Sequence, residues 1–415
     1  MGDLPTPELD GETPLGYAET PNMDSLARRG QTGMMYIVKK GIAPESSIGV
    51  VSVLGYDPLN CNARRGVLEA VGADMKFEDG DLALRCNFVT LGENTYIIDR
   101  RAGRDLTSEE ARQLSEEINE KVELKSYPAD FEFRNTVGYR GVLVIRSRAR
   151  PLSGNISNTD PAYYQEIGLA VAKSEFEFIA QESRPRDGNE AARVSANLVN
   201  EFTRKSHEVL ERSEVNKRRG ATGKLKANYI LMRDAGSQLP RFPNINEKYG
   251  VRFASLVNMA VEKGIAKLTG MEGIDIPPPS ENLAKDCRLA VDELTRHLQA
   301  HDCFYIHIKG PDEPGHDGDC KRKARLLEIV DEHFFGYLGG RVDLKGLVIC
   351  VTSDHATPCT AKAHTDDPVP IMISGGKVVA DGSSGFSERI CARGSLGTLE
   401  RGMELMPRLI ATMER

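Results

Sequence analysis

The feature that most constrains this chain is a set of short apolar runs separated by longer, amphipathic segments. Three such runs lie close together in the C-terminal part, at Cys303–Lys309, Gly346–Thr352 and Pro368–Ser374. Nearly continuous apolar runs of this length are typical of strands that are buried on both faces of a parallel sheet. Two further strands are predicted earlier in the chain, at Gly141–Ser147 and Asn228–Arg233.

Segments with a helical apolar period separate these runs. Helices are predicted at Thr107–Glu123, Glu190–Arg212, Asn282–Ala300 and Cys320–Leu338. The first of them begins with a capping box, in which Thr107 is followed three residues later by Glu110. Strands that alternate with helices of this length predict a mixed α/β fold with a parallel sheet.

Composition narrows the class of protein. The chain has 415 residues, which at roughly 150 residues per domain predicts two or three domains. A formal net charge of −7 argues against nucleic acid or an anionic membrane as the main partner. The sequence contains no apolar stretch of the ~18 residues that a membrane span needs and no signal-peptide pattern. The eight cysteines form no CxxC pair, which predicts reduced thiols and a cytoplasmic protein.

Acidic residues and histidines follow two of the apolar runs. Asp312 and His316 come after the first of the three C-terminal runs, Asp354 and His355 come after the second, and His364 follows shortly afterwards. One such pair arises easily by chance, but this grouping favours a metal site at the carboxyl ends of strands. Carboxylate and imidazole ligands without thiolates suit Mn²⁺, Mg²⁺, Fe²⁺ or Zn²⁺. The number of ligands indicates two ions, an arrangement that clamps the attacking and leaving oxygens in phosphoryl transfer.

Two adjacent serines precede an apolar segment with a helical pattern. Ser46 and Ser47 follow the turn-forming stretch 43–45. At a helix N-terminus, backbone N–H groups and the helix dipole favour a phosphate or an alkoxide. Serine is also a common helix cap. Both interpretations, nucleophile and cap, therefore stay open from the residues alone.

Several basic residues stand in segments that are otherwise poor in positive charge. Guanidinium groups bind phosphate and carboxylate through two parallel hydrogen bonds, although most arginines only face solvent. The candidates for anion binding are Arg85, Arg100, Arg101, Arg104, Arg233 and Lys263.

Four stretches of the chain resemble one enzyme family. TPNMDSLARRG, VLGYDP, KGPDEPGHDGD and TSDHATPCTAKAH are similar to segments of the archaeal-type phosphoglycerate mutases that need no 2,3-bisphosphoglycerate, members of the alkaline phosphatase superfamily. The resemblance covers nearly the whole chain, and its last two motifs are highly specific. It implies an alkaline-phosphatase-like mixed sheet core, formed by residues 1–60 and 227–415. A smaller α/β phosphotransferase domain, residues 61–226, would be inserted into that core.

The resemblance also implies a reaction and the residues that perform it. Ser46 would take the phosphate from 3-phosphoglycerate as phosphoserine and return it to the 2-hydroxyl. One divalent metal would be held by Asp312, His316 and His364, and a second, beside Ser46, by Asp354 and His355; Mn²⁺ or Mg²⁺ is expected, with Zn²⁺ as the alternative. The substrate would be bound by Arg233 and Lys263, with further contacts from Arg85, Arg100 and Arg104.

The chain differs from the family's pattern in three places. The family opens with a strand that ends in Asp-Gly-x-Gly-Asp and carries a metal ligand, whereas this sequence starts at Met1-Gly2-Asp3. The resemblance therefore implies a further strand and ligand ahead of Met1, or their loss, with Asp3 as the nearest substitute. The acidic residue and the histidine that usually follow the nucleophile are Ser47 and Val50 here, and the turn at 276–280 is rich in proline.

These differences keep other functions in view. One is a different metal-dependent phosphatase, phosphodiesterase or phosphomutase of the same superfamily. Another is a degenerate relative that binds phosphorylated metabolites without turnover. In each case the partner is a small phosphorylated molecule, and the oligomeric state stays open.

Overall fold

The protein forms two compact units, seen here in a computed structural model that describes residues 1–166, 169–173 and 175–413. Unit 1 comprises Met1–Cys61, Phe242–Asn258 and Thr269–Arg415, and unit 2 comprises Asn62–Arg241 and Met259–Leu268. The chain thus begins in unit 1, passes into unit 2 and ends in unit 1. None of the helices in the described ranges combines the length and the apolar character needed to cross a membrane.

The strands in chain order are Gly30–Met35 (β1), Leu82–Leu91 (β2), Ile97–Asp99 (β3), Ala129–Asn135 (β4), Arg140–Ser147 (β5), Tyr163–Glu166 (β6), Leu169–Ala172 (β7), Tyr229–Gly236 (β8), Phe253–Leu256 (β9), Glu272–Gly273 (β10), Cys303–Ile306 (β11), Ile349–Val351 (β12), Val369–Ser374 (β13) and Gly397–Leu399 (β14). The α-helices are Pro14–Tyr17 (α1), Pro21–Arg28 (α2), Ser46–Val53 (α3), Arg65–Gly72 (α4), Ser108–Lys121 (α5), Glu190–Glu211 (α6), Glu214–Ala221 (α7), Ile245–Tyr249 (α8), Ala260–Thr269 (α9), Leu283–His297 (α10), Asp312–Asp317 (α11), Cys320–Val330 (α12), Tyr337–Gly339 (α13), Glu388–Cys391 (α14) and Leu405–Thr412 (α15). The mixed α/β character predicted from the sequence is confirmed.

Unit 1 contains two sheets. One has the strand order β12-β13-β1-β14 and the other the order β10-β9-β11. An apolar core formed by α2, α10 and α12 packs against these strands, with Met23, Val291, Leu327 and Met372 among its fully buried members. The strands β11 and β12 each end their own sheet. Both line a cavity of about 590 Å³, which therefore lies within unit 1.

The direction of two predicted strands differs from the expectation. β11 runs parallel to β9, as a buried parallel strand should. β12 and β13, however, are antiparallel to each other, and β1 pairs with β13 in the antiparallel sense. The prediction of parallel strands at 346–352 and 368–374 is therefore wrong. The reason is the connection, because parallel neighbours need a crossover, commonly a helix, whereas turns and loops alone join β12 to β13.

Unit 2 is built on an antiparallel sheet. β2 pairs with β3, β5 and β8, and β4 pairs with β5, all in the antiparallel sense. Alternate residues of β2 face opposite sides, so that Leu84 and Phe88 meet the core around α5 and α6 while Ala83 meets α4. The capping box of α5 is present as predicted, with Thr107 and Glu110 exchanging hydrogen bonds.

Helices α4 and α9 of unit 2 approach each other through glycine. A Cβ at Gly264 would overlap the carbonyl oxygen of Leu68, and one at Gly72 would overlap that of Ala260. The close backbone contact places α9 directly against α4. Lys263, one of the predicted anion-binding residues, is half-buried on α9, the helix that packs against α4.

Candidate active site and metal centre

Three potential metal ligands converge in unit 1. Asp312 and His316 stand four residues apart on α11, one turn of helix, and His364 comes from the loop between β12 and β13. The Asp312 Oδ1 atom lies 3.5 Å from His316 Nε2 and 3.7 Å from His364 Nε2. The two Nε2 atoms are 3.2 Å apart. Among the described residues, these three form a group whose ligand atoms all lie within 4.8 Å of one another.

In His364 and His316 the other ring nitrogen, Nδ1, is hydrogen-bonded to a backbone carbonyl. His364 Nδ1 is 2.9 Å from the oxygen of Pro44, and His316 Nδ1 is 3.2 Å from that of Lys362. A carbonyl only accepts, so Nδ1 carries the proton and a neutral ring presents its lone pair at Nε2. Two lone pairs that face each other across 3.2 Å beside a carboxylate fit a cation. Histidines that bind metals are commonly fixed by this kind of second contact.

Ser46, Asp354 and His355 form a second group in unit 1. Ser46 is the first residue of α3, and its Oγ lies 3.3 Å from His355 Nε2. Asp354 Oδ2 lies 3.4 Å from the same Nε2 and has no hydrogen-bond donor among the described residues. All three side chains are buried or largely buried. A buried carboxylate oxygen that faces an imidazole nitrogen and a hydroxyl also suits a bound cation.

Glycine allows α3 to come this close. Gly49 lies one turn after Ser46, and a Cβ there would overlap the backbone carbonyl oxygen of Asp354. The apolar residues that follow, Val50 and Val51, are buried and hold the helix in the core. The serine hydroxyl is therefore carried on a rigid element beside the loop that bears Asp354 and His355.

The surroundings set the charge of these groups. Burial lowers the pKa of His355 to about 3, although the Asp354 carboxylate opposes the shift. Burial acts to raise the pKa of Asp312, but the contact with His364 and the other neighbouring imidazoles outweigh it and hold that pKa well below its usual range. For His364 the contact with Asp312 outweighs burial, and its pKa rises. The cluster thus favours ionised carboxylates and attracts positive charge, and a bound cation would supply that charge in place of the proton on His364.

Asp3 does not serve as a substitute ligand in this arrangement. Its Oδ2 atom lies 2.6 Å from Lys323 Nζ, and both side chains are almost fully buried. The Cys359 backbone N–H donates to its Oδ1 at 3.1 Å. The Asp3 carboxylate is therefore engaged by protein donors, and it ties the first residues to α12 and to the loop after β12.

The predicted anion-binding residues all lie in unit 2. Arg85 and Arg233 are direct cross-strand partners on β2 and β8, and both are buried. Like charges at such positions repel, so they need a counter-charge. Glu69 supplies part of it, with its Oε1 at 3.6 Å from Arg85 Nε and 2.8 Å from Arg65 Nε. Two arginines held together in this way suit a bound anion.

Arg100 belongs to the same neighbourhood, through Tyr163. The Arg233 guanidinium lies 3.4 Å from the centre of the Tyr163 ring, and that of Arg100 lies 5.3 Å from it. Arg100 is oriented by an ion pair with Asp160 at 2.7 Å. Arg104 lies instead on an exposed turn, in left-handed backbone with φ of 61°. The structure thus groups Arg233 and Arg100 around one ring, with Arg85 next to Arg233 on the neighbouring strand.

Sequence reasoning missed the residues that hold these groups in place. Glu69 follows Arg65 by four residues, a spacing that signals a helical ion pair. Thr357 lies in the same motif as Asp354 and His355, but nothing in its spacing indicates its contacts. Lys323 and Asp3 meet over a sequence separation of 320 residues, and no local pattern reports such a pair.

Comparison with known proteins gives a consistent result. Residues 27–216 match the family model described as 2,3-bisphosphoglycerate-independent phosphoglycerate mutase. A protein of that name from Aeropyrum pernix is 44% identical over 405 residues, which cover 96% of this chain and 95% of the relative. One from Pyrococcus furiosus is 38% identical over 419 residues, covering 100% of this chain and 95% of the relative.

The structure is similar to two solved structures over nearly the whole chain. A protein from Pyrococcus horikoshii superimposes with a TM-score of 0.76 at 30% identity, covering 100% of this chain and 96% of the other. The cofactor-independent phosphoglycerate mutase from Thermoplasma acidophilum gives a TM-score of 0.57 at 28% identity, covering 99% and 97%.

Proposed function

Because the chain belongs to the family of 2,3-bisphosphoglycerate-independent phosphoglycerate mutases, we propose that it interconverts 3-phosphoglycerate and 2-phosphoglycerate. It is then an isomerase that moves a phosphoryl group within one molecule by way of a phosphoserine. The observation that carries the proposal is the placement of Ser46 beside His355 and Asp354, next to the cluster of Asp312, His316 and His364. The family is metal-dependent, and these residues have the donor types that a divalent metal prefers.

The roles of the residues follow from where they lie. Ser46 attacks phosphorus, so that an Oγ–P bond forms as the bond to the 3-oxygen breaks; the serine proton leaves and the freed hydroxyl gains one. The 2-hydroxyl then attacks the phosphoserine, so that a bond from the 2-oxygen to phosphorus forms as the Oγ–P bond breaks; the 2-hydroxyl loses its proton and Ser46 Oγ regains one. The start of α3 favours the negative charge that develops there. Burial of Ser46 limits access of water, which would hydrolyse the phosphoserine.

We assign two divalent ions to unit 1, Mn²⁺ or Mg²⁺ in preference to Zn²⁺. Asp312, His316 and His364 hold one, and Asp354 and His355 hold the other beside Ser46. When bound, such ions neutralise the transferring phosphoryl group and lower the pKa of a coordinated hydroxyl. The uncoordinated nitrogens of His316 and His364 are already fixed by carbonyls, so the rings need no reorientation to bind.

We assign unit 2 to the substrate. Arg85, Arg100 and Arg233 form the part that binds the carboxylate or phosphate of the phosphoglycerate, with Lys263 and Arg104 as further contacts. In this proposal unit 2 is the inserted phosphotransferase domain, predicted at 61–226, although β8 beyond that boundary also pairs within unit 2. The eight cysteines are all free, which suits the cytoplasmic location that we propose for this enzyme.

Removal of divalent metal tests the proposal directly. We expect chelator-treated protein to lose turnover of 3-phosphoglycerate in an enolase-coupled assay, and added Mn²⁺ or Mg²⁺ to restore it. His316→Ala should bind one Mn²⁺ fewer per chain in calorimetry, because it removes one of three ligands. His333→Ala, outside the cluster, is the control. Full turnover after exhaustive chelation would contradict the assignment, and release of free phosphate from simple esters without mutase activity would favour a phosphatase.

The arginine cluster predicts an effect on substrate binding. Arg85→Gln removes a buried charge beside Arg233, and hydrogen bonds between charged groups contribute about 1.5–3 kcal/mol each. We therefore expect kcat/KM for 3-phosphoglycerate to fall by roughly 10- to 100-fold, mainly through KM. The exposed Arg150, changed to Gln in the same unit, should leave both constants unaltered. Equal constants for the Arg85→Gln variant and wild type would remove Arg85 from the site.

A further inference from the structure

A threonine hydroxyl links the two groups of ligands in unit 1. Thr357 Oγ1 lies 2.8 Å from Asp312 Oδ1 and 3.0 Å from His355 Nδ1. The residue is only 2% exposed. Its backbone is held on both sides, because its N–H donates to the carbonyl of Gly2 at 3.0 Å and its carbonyl accepts from Lys323 Nζ at 2.8 Å. The hydroxyl is thus fixed between the carboxylate and the imidazole.

The chemistry of the three groups determines the direction of both hydrogen bonds. A hydroxyl has one proton, and an ionised carboxylate can only accept. Thr357 must therefore donate to Asp312, which leaves its lone pairs for His355. The bond from His355 then requires a proton on Nδ1, and a neutral ring with Nδ1–H has its lone pair on Nε2. That lone pair faces Ser46 Oγ and Asp354 Oδ2.

A competing state lies close by. Asp354 Oδ2 is 3.4 Å from His355 Nε2, and hydrogen bonds to a carboxylate are stronger than those to a hydroxyl. Without the hydroxyl at position 357, we expect the ring to keep its proton on Nε2 and donate it to Asp354. Nε2 could then neither accept from Ser46 nor bind a cation. The Thr357 hydroxyl donates its one proton to Asp312, so it can only accept a hydrogen bond from His355. It therefore favours the tautomer with the proton on Nδ1, in which Nε2 is available to Ser46 or to a cation.

We propose that Thr357 is a positioning residue: it sets the tautomer and ring orientation of His355, so that Nε2 is available at Ser46. The inference rests on the proposed function for the role of His355. It adds Thr357 as a residue that acts on the reaction through His355. Because Asp312 accepts the Thr357 hydroxyl proton, it also determines which nitrogen of His355, the ring beside Ser46, carries a proton. The two groups are therefore linked by hydrogen bonds in the protein itself.

The test compares Thr357→Val, which keeps the shape and removes the hydroxyl, with Thr357→Ser, which keeps the hydroxyl. The first measurement is ¹⁵N NMR of histidine-labelled, chelator-treated protein, with the His355 signals assigned by their loss in His355→Gln. We expect the Nδ1–H tautomer in wild type and in the serine variant, and the Nε2–H tautomer in the valine variant. The Nε2–H tautomer in wild type would overturn the proposal even if the valine variant does not fold.

The second measurement is Mn²⁺ affinity by calorimetry. We expect the valine variant to bind Mn²⁺ about ten- to a hundredfold more weakly, as for other losses of a partner to a metal-binding histidine, and the serine variant to bind as wild type does. The kcat for 3-phosphoglycerate should fall in the valine variant with little change in KM. Unaltered tautomer and affinity in a folded valine variant would refute the role of Thr357. A wild type without mutase activity would refute only the proposed function, because tautomer and Mn²⁺ binding are measured independently of turnover.

Discussion

Replacing Ser46 with alanine is expected to abolish mutase turnover, with kcat at least about 10⁴-fold below wild type. The reason is that Ser46 alone, among the residues that the structure describes in unit 1, combines a hydroxyl, a place at the start of a helix and contact with His355. Metal binding at Asp312, His316 and His364 should persist, since Ser46 is not among those ligands. The measurements are the enolase-coupled assay and Mn²⁺ titration of the same preparation.

Ser47→Ala is the matched control. Ser47 is the next residue of α3 and is as deeply buried as Ser46, so the two variants disturb packing alike. We expect the Ser47 variant to stay within about tenfold of wild-type kcat, since it leaves the proposed nucleophile in place. Brief incubation with 3-phosphoglycerate should add the mass of one phosphoryl group to wild type and to Ser47→Ala but not to Ser46→Ala. Loss of activity in both variants, or in Ser47→Ala alone, would contradict the assignment of Ser46.

The parts of the fold that the sequence predicts are those with local causes. The capping box at Thr107 is confirmed, and it was predictable because its hydrogen bonds join Thr107 to Glu110, only three residues away. Asp312 and His316 share one helical turn for the same reason. The prediction that β12 and β13 are parallel strands is wrong, because an apolar run indicates that a strand is buried but does not determine the direction of its neighbour.

The candidate site was predictable to a similar extent. Ser46, His355 and His364 were predicted from motifs that resemble those of a family. In the structure Ser46 Oγ lies beside His355 Nε2, and His364 lies in the cluster with Asp312 and His316. Residues that orient these side chains were missed, because they act by single long-range contacts: Glu69 meets Arg85 from another element, and Asp3 meets Lys323. Such contacts leave no periodic trace in the sequence.

The buried pair of Lys323 and Asp3 predicts the largest loss of stability. Lys323 uses its three ammonium protons on Asp3 Oδ2 at 2.6 Å, the carbonyl of Thr357 at 2.8 Å and that of Gly2 at 3.3 Å. Lys323→Met preserves the length of the side chain but leaves an unpaired carboxylate in the core. Breaking one side of a buried pair costs about 3–5 kcal/mol. We expect a corresponding fall in the free energy of unfolding of unit 1, measured by denaturant titration and calorimetry.

Two variants separate the charge effect from the substitution itself. Lys321→Met makes the same change on an exposed position of the same helix, α12, and should alter the free energy of unfolding by no more than about 0.5 kcal/mol. Adding Asp3→Asn to Lys323→Met should recover part of the loss, because the second change removes the uncompensated charge. Since Lys323 also holds the carbonyl of Thr357, the single variant should bind Mn²⁺ more weakly than Lys321→Met. Equal stability of Lys321→Met and Lys323→Met would show that the buried pair contributes nothing to unit 1.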